Sequence, residues 1–282
     1  MIRSARRGFT LIELMLAMVM MLIVSGAVYQ LLVTTQRVAA AQTERLHLQA
    51  NVRGAALVVL NELRELNSEG VGSQGQNDIV GMGPTAISYR AARGFGYACH
   101  TLGSQIRIGR NQFTGHRDPQ AGRDSVWVYV EASPVGTDSG WTPLGITSVS
   151  TATPCTGTAG PGITITTSGA VSGALPAGTP VRIYERMELA LYRSDGESWL
   201  GMKSVSAGEV IQPLFGPLAD RDGFQLAYFD AIGLPAALPA AVRSIAVTLR
   251  AVGQTASSLG GPAGQPEAEE LTTQVVLRNA SR

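Results

Sequence analysis

Charge is scarce along this chain. Asp, Glu, Lys and Arg make up 15% of its 282 residues, against roughly a quarter in an ordinary soluble domain. The formal net charge is +1, and three of the 22 basic residues, Arg3, Arg6 and Arg7, crowd into the first eight positions. Without those three, the 21 acidic residues exceed the basic ones by two. So flat a balance gives no footing for a role that depends on attracting a polyanion. Cysteine is almost missing too. Cys99 and Cys155 are the only two, no C-x-x-C occurs, and three histidines accompany them. That excludes the paired-ligand patterns of zinc sites, and no metal is expected. Two cysteines so far apart read either as one disulfide of an exported protein or as two unrelated buried thiols.

Catalytic patterns are missing as well. His47, His100 and His116 form no H-E-x-x-H, and no G-x-S-x-G elbow occurs. The glycine-rich run Gly157–Gly162 contains Pro161 and leads into no helix, so it reads as a surface loop rather than a phosphate cradle. Asp220-Arg221-Asp222-Gly223 lacks the glutamate that would complete a calcium loop, and reads as a turn. An enzyme is not expected, nor a cofactor.

What the chain does have is one long apolar run. Residues 9–33 read FTLIELMLAMVMMLIVSGAVYQLLV, with Glu13 as the sole charge. At 1.5 Å per residue a helix of this length crosses a hydrocarbon core about 30 Å thick. The arginines before it favour a cytoplasmic N-terminus and an exported remainder. A secretory signal peptide predicts a shorter apolar centre and a polar mature start; here apolar sequence continues past Val24-Ser25-Gly26-Ala27. A plain anchor explains the length but not Glu13, because a carboxylate at membrane depth is costly and usually serves a purpose.

The contiguous run Arg7-Gly8-Phe9-Thr10-Leu11-Ile12-Glu13-Leu14, behind a basic leader and ahead of a spanning helix, resembles the processing motif of type IV prepilins and type II secretion pseudopilins. The resemblance implies that a prepilin peptidase cuts between Gly8 and Phe9 and methylates the new Phe9 amine. Glycine before the cut lets the backbone lie extended without a Cβ in the way. Glu13 would then pair with the Phe9 ammonium of its own or a neighbouring subunit, since opposite charges attract strongly in low dielectric. The implied partners are other pilin or pseudopilin subunits, the prepilin peptidase, an inner-membrane assembly platform and the lipid bilayer. The implied location is the bacterial inner membrane, with the head periplasmic, and then a pilus or pseudopilus.

Beyond the apolar run, residues 34–68 hold no proline and one glycine. Leu46, Leu48, Val52, Ala56, Val59, Leu63 and Leu66 recur mainly at three- and four-residue steps. One helix is expected from about Phe9 to Asn67, with Gly26 as the place where it bends or unwinds most easily. Residues 68–84 read as a loop. Strands are expected at 125–130, 162–166, 179–185, 189–193, 198–202, 224–229, 242–249 and 271–277, with turns at Ser194-Asp195-Gly196 and Asp222-Gly223. The stretches 132–161 and 253–270 read as long surface loops.

This order predicts an α+β fold with the ladle form of pilins, one long helix whose second half packs on an antiparallel sheet. The expected parts are a leader at 1–8, a membrane and assembly helix at 9–33, its amphipathic continuation at 34–68 and a β-rich head at 69–282. The last third also resembles minor pilins and J-type pseudopilins, through Tyr184–Arg193, Phe224–Asp230, Leu238–Leu249 and Val276–Asn279. A minor pilin is the first expectation; a J-type minor pseudopilin and a pilus-borne adhesin or DNA-binding subunit are the alternatives. For DNA the candidates are Arg90, Arg93, Arg107, Arg110, Arg117 and Arg123, interleaved with Tyr89, Phe95, Tyr97 and Phe113. A solvated face with ordinary packing aromatics is the competing reading of the same residues.

Overall fold

A computed structural model describes residues 10–68, 77–130, 140–152, 154–155, 160–171, 175–256 and 266–277. Helix α1 (Leu11–Arg64) is continuous for 54 residues. It is rich in Leu, Met and Ala and free of proline, and it stays helical through Gly26, where no neighbour lies within 4 Å. It ends at Arg64, after which the Leu66 N–H turns back to the Leu63 carbonyl at 3.3 Å.

The chain divides into two compact units, Met1–Leu48 with Gly253–Glu267, and Gln49–Val252 with Ala268–Arg282. In the first unit, every α1 side chain from Leu11 to Leu32 is exposed, and Arg45 Nε lies 3.5 Å from Glu267. Leu46, expected on the buried stripe, is 66% exposed. It precedes Leu48 by two positions, and two residues of a helix face nearly opposite ways.

In the second unit, the rest of α1 buries Val52, Ala55, Ala56, Val59 and Leu63, the three- and four-residue spacing of a core-facing stripe. Leu66 just beyond it is buried too. An antiparallel sheet backs this segment, a helix-on-sheet α+β arrangement. Tyr89 Oη donates to Glu62 at 3.0 Å, and Asn51 Nδ2 donates to the Gly216 carbonyl at 3.1 Å. A Cβ at Gly54 would meet the Phe215 ring at 2.8 Å, so the helix approaches the sheet this closely only with glycine there.

The strands are β1 (Ile79–Met82), β2 (Ala86–Leu102), β3 (Gln105–Gly115), β4 (Asp124–Val130), β5 (Gly140–Ala152) and β6 (Gly162–Thr167), then β7 (Thr179–Ser194), β8 (Glu197–Ser204), β9 (Gln212–Leu218), β10 (Phe224–Phe229), β11 (Ser244–Ala256) and β12 (Pro266–Val276). Two long strands, β2 and β7, pair from Ala86↔Ala190 to Ala98↔Thr179 and serve two structures. Through their Ala86 and Ser194 ends the sheet continues β7-β8-β9-β11-β10, with β12 on β11. Through their other ends the order β2-β3-β6-β5-β4-β7 returns to β2, closing a six-stranded antiparallel barrel. Closure removes the free edges that an open sheet would expose. All six strands fill the interior, among them Ala98, Ile106, Val126, Ile146, Ile165 and Val181.

Strand β10 spans Phe224–Phe229 as expected, and the β7–β8 turn has positive φ at both Asp195 (53°) and Gly196 (85°), the geometry of a two-residue hairpin. Other expectations need correction. Runs 179–185 and 189–193 are one strand, β7. The expected loop at 68–84 contains β1, and that at 132–161 contains β5. Proline and glycine hid β5; Pro143 lies where β5 pairs β4 alone, so its missing N–H breaks no second ladder. Strand occupies 253–256 and 266–270 of the expected loop at 253–270. Strands β2, β3 and β9 were not anticipated. β2 is poor in β-branched residues because its glycines accept a ring: a Cβ at Gly94 would fall 2.5 Å from Phe113.

Candidate functional site

The structural features that bear on function begin at the start of α1. Thr10 precedes the helix and Glu13 sits in its first turn. The Thr10 N–H and hydroxyl both donate to Glu13 Oε2 at 3.1 Å, and the Glu13 N–H donates to Thr10 Oγ1 at 3.3 Å. This is a reciprocal capping box, in which a Thr-x-x-Glu spacing satisfies free helix-end donors. The carboxylate also lies at the positive end of the helix dipole. The lone acid of the apolar run therefore has two local donors, and the Thr10–Glu13 spacing was the sequence signal for it. Gly8, Phe9, Arg3, Arg6 and Arg7 lie outside the described residues.

The apolar surface behind this cap is large. Leu11, Ile12, Met21, Leu22 and Leu31 are among its side chains exposed by two thirds or more. The helix is long and apolar enough to cross a membrane, and none of its most apolar stretch is buried within the chain. Exposed apolar surface on this scale marks a site of membrane or protein contact.

Cys99 and Cys155 form a disulfide, with Cα atoms 6.0 Å apart, which settles the choice between a bond and two thiols. Among the described residues, no group of three His, Cys, Asp or Glu is placed to hold a metal ion.

The arginines that were candidates for DNA contact are mostly turned to another use. Glu185, with its side chain only 2% exposed, accepts from Arg93 Nε at 2.8 Å, from Arg117 at 3.2 Å and from Arg123 Nε. Arg117 also clasps the fully buried Asp124 carboxylate through both terminal nitrogens, at 2.5 and 2.7 Å. Arg123 reaches on to Glu209 at 2.6 Å, and Arg110 pairs with Asp118 at 2.6 Å. Arg90 bonds the Asn77 carbonyl and lies over the Trp127 ring. Burial by itself would raise the Glu185 carboxyl; hydrogen bonds from Ser204 and Arg93 and the charges of Arg93 and Arg123 outweigh it and hold the group at about 2. The Asp124 hydrogen bond likewise raises Arg117 above its usual range. Tyr89 is fully buried, and burial beside Glu62 pushes its phenol well above the ordinary value. Of the four aromatic candidates, only Phe95 and Tyr97 are exposed. The region is neither a basic comb nor a simple solvated face. Its charges tie β2, β4 and β7 together where Asp124 stands opposite Glu185 in the barrel wall.

A capped, uncovered apolar helix whose far end backs an antiparallel sheet is a pilin-like α+β arrangement. Residues 3–29 match the family described as the prokaryotic N-terminal methylation motif. That prepilin-type motif is the one carried by type IV pilins and pseudopilins, which are structural proteins, not enzymes, and assemble with other pilins after processing by prepilin peptidase. No curated protein and no solved structure matches the chain.

Proposed function

We propose that this protein is a minor pilin, a low-copy structural subunit of a type IV pilus. In this reading prepilin peptidase removes residues 1–8 by cutting between Gly8 and Phe9, then methylates the Phe9 amine. Residues 9–33 hold the subunit in the inner membrane with the N-terminus cytoplasmic, residues 34–68 continue the helix, and the head at 69–282 is periplasmic. During assembly the helix leaves the lipid for the filament core.

One observation carries the reading: behind a methylation motif at residues 3–29, α1 is exposed at every position from Leu11 to Leu32. Apolar burial is favourable by roughly 25 cal/mol per Å², so a helix of this kind is stable only in lipid or among other such helices. The absence of proline from α1 and the size of the head support a minor rather than a major subunit. The C-terminal runs at Tyr184–Arg193 and Leu238–Leu249 suit a J-type minor pseudopilin equally, and neighbouring genes for a pilus retraction motor or a secretion-type secretin separate the two.

Glu13 is the residue that tests the assembly role. Its carboxylate would exchange its Thr10 donors for the Phe9 ammonium of its own or an adjacent subunit, and so help set the register. Glu13→Leu should still insert in the membrane, read by fractionation, but should drop out of sheared filaments by tenfold or more. Normal incorporation of that variant would refute the role.

A further inference from the structure

The arginines gathered around Glu185 are neutralised within the chain, but three on the opposite face of β7 are not. Arg93, Arg117 and Arg123 meet Glu185, Asp124 and Glu209. Arg90 on β2 stands directly opposite Arg186 on β7, so both side chains leave the sheet on one face. Arg182, an even number of positions from Arg186 on the same strand, shares that face. Among the described residues none of these three forms an ion pair with a carboxylate. Like charges directly opposite on neighbouring strands are destabilising, since their Cβ atoms lie about 5 Å apart.

The nearest acids are engaged elsewhere. Glu188, on the same face as Arg186, is held by Lys203 Nζ at 2.9 Å and by the Ser88 hydroxyl at 3.3 Å. Asp78 is buried and accepts the Asn67 N–H at 2.8 Å. Arg182 is taken up by the Trp141 ring, 4.3 Å from its centre. Arg90 is fixed in place: it donates to the Asn77 carbonyl and lies 5.3 Å from the centre of the Trp127 ring. Burial lowers its guanidinium from the usual range; Asp78 opposes this and Arg186 adds to it. Arg186 is exposed, and no side-chain hydrogen bond holds it among the described residues.

We propose that Arg90 and Arg186 together hold a dianionic phosphate group supplied from outside the chain. A local rule broken without repair inside the fold marks a functional position. One anchored guanidinium beside one adjustable guanidinium makes a two-pronged donor set for a single oxyanion. Two positive charges call for two negative ones, which phosphate carries near neutral pH and a lone carboxylate does not. Free phosphate and a phosphate monoester present this same chemistry. The proposal does not rest on the filament reading, because every residue in it belongs to the head.

The test follows thermal unfolding of the full-length protein in detergent micelles at about pH 8, above the second phosphate pKa of about 6. Chloride is replaced by phosphate, by glycerol phosphate or by acetate at constant ionic strength, so that screening is equal in every arm. Phosphate should raise the midpoint saturably, as a ligand of the folded state does, and acetate should not. A stronger response to glycerol phosphate identifies an ester as the source; an equal or weaker one identifies free phosphate. Arg186→Gln should raise the midpoint in chloride by removing the repulsion, and should weaken the phosphate response by about tenfold or more. Arg186→Lys keeps the charge but loses the fork, so its midpoint in chloride should match the parent while its phosphate response falls. Arg53→Gln, at an exposed arginine of α1, should change neither. No phosphate response, an equal response to acetate, a response that survives Arg186→Gln, or a midpoint lowered in chloride by Arg186→Gln would each overturn the proposal.

Discussion

From Leu11 to Leu32 no side chain of α1 is covered, whereas from Val52 to Leu63 buried positions recur every three or four residues. The backbone is the same continuous helix in both stretches. What differs is the source of stability. The second stretch draws on a sheet within its own chain, the usual way a helix is held. The first is apolar on all sides and finds no cover in the described residues; on the proposed function its partner is lipid or another subunit. Two acids repeat the contrast. Glu13 is held by one threonine at the helix end, while Glu185 is enclosed by three arginines in the barrel wall. One is free to change partners and the other is locked.

If that contrast is right, Glu185→Gln should be the most damaging of these changes. Neutralising the buried Glu185 leaves Arg93 without its carboxylate and takes one of two from Arg117 and Arg123, which should cost about 3–5 kcal/mol, read by denaturant unfolding of the head. The same residue sets an acid limit. Its folded value of about 2 lies below its usual 4.5, so its contribution is complete above pH 4.5 and is lost as pH falls toward 2. The stability gap between parent and Glu185→Gln should therefore shrink across that window, and a gap independent of pH would remove Glu185 from the account. Next in size, Leu63→Ala should cost about 2–5 kcal/mol by opening a cavity. Leu22→Ala should change head stability by less than about 0.5 kcal/mol. Equal losses from the two would erase the distinction between the halves of α1. Close to Leu63→Ala in size, Cys99→Ser with Cys155→Ser should lower stability by about 2–4 kcal/mol, seen as an earlier unfolding midpoint.

The sequence announced both halves of the helix because their patterns are local: an apolar run with one acid, then a three-and-four spacing. The hairpin at Asp195-Gly196 and strand β10 were legible for the same reason. The barrel was not. Its closure depends on β2 pairing with β7 about a hundred residues away, and β2 signals itself with glycine and alanine that make room for Phe113 rather than with β-branched residues. Glu185 was likewise invisible as the hub of the arginines, since Arg93 and Arg123 lie 92 and 62 residues from it in the chain. At the N-terminus, by contrast, the Thr10–Glu13 cap is written in the local spacing, alongside the role between subunits that the processing motif implies for Glu13.

Intact-mass and N-terminal peptide spectrometry of the protein isolated from its native membrane bears most directly on the claim that α1 is made to pass from lipid into a filament. The account predicts a chain that starts at Phe9 with one added methyl group on its amine. A chain that retains Arg3, Arg6 and Arg7 and carries no methyl group would contradict it.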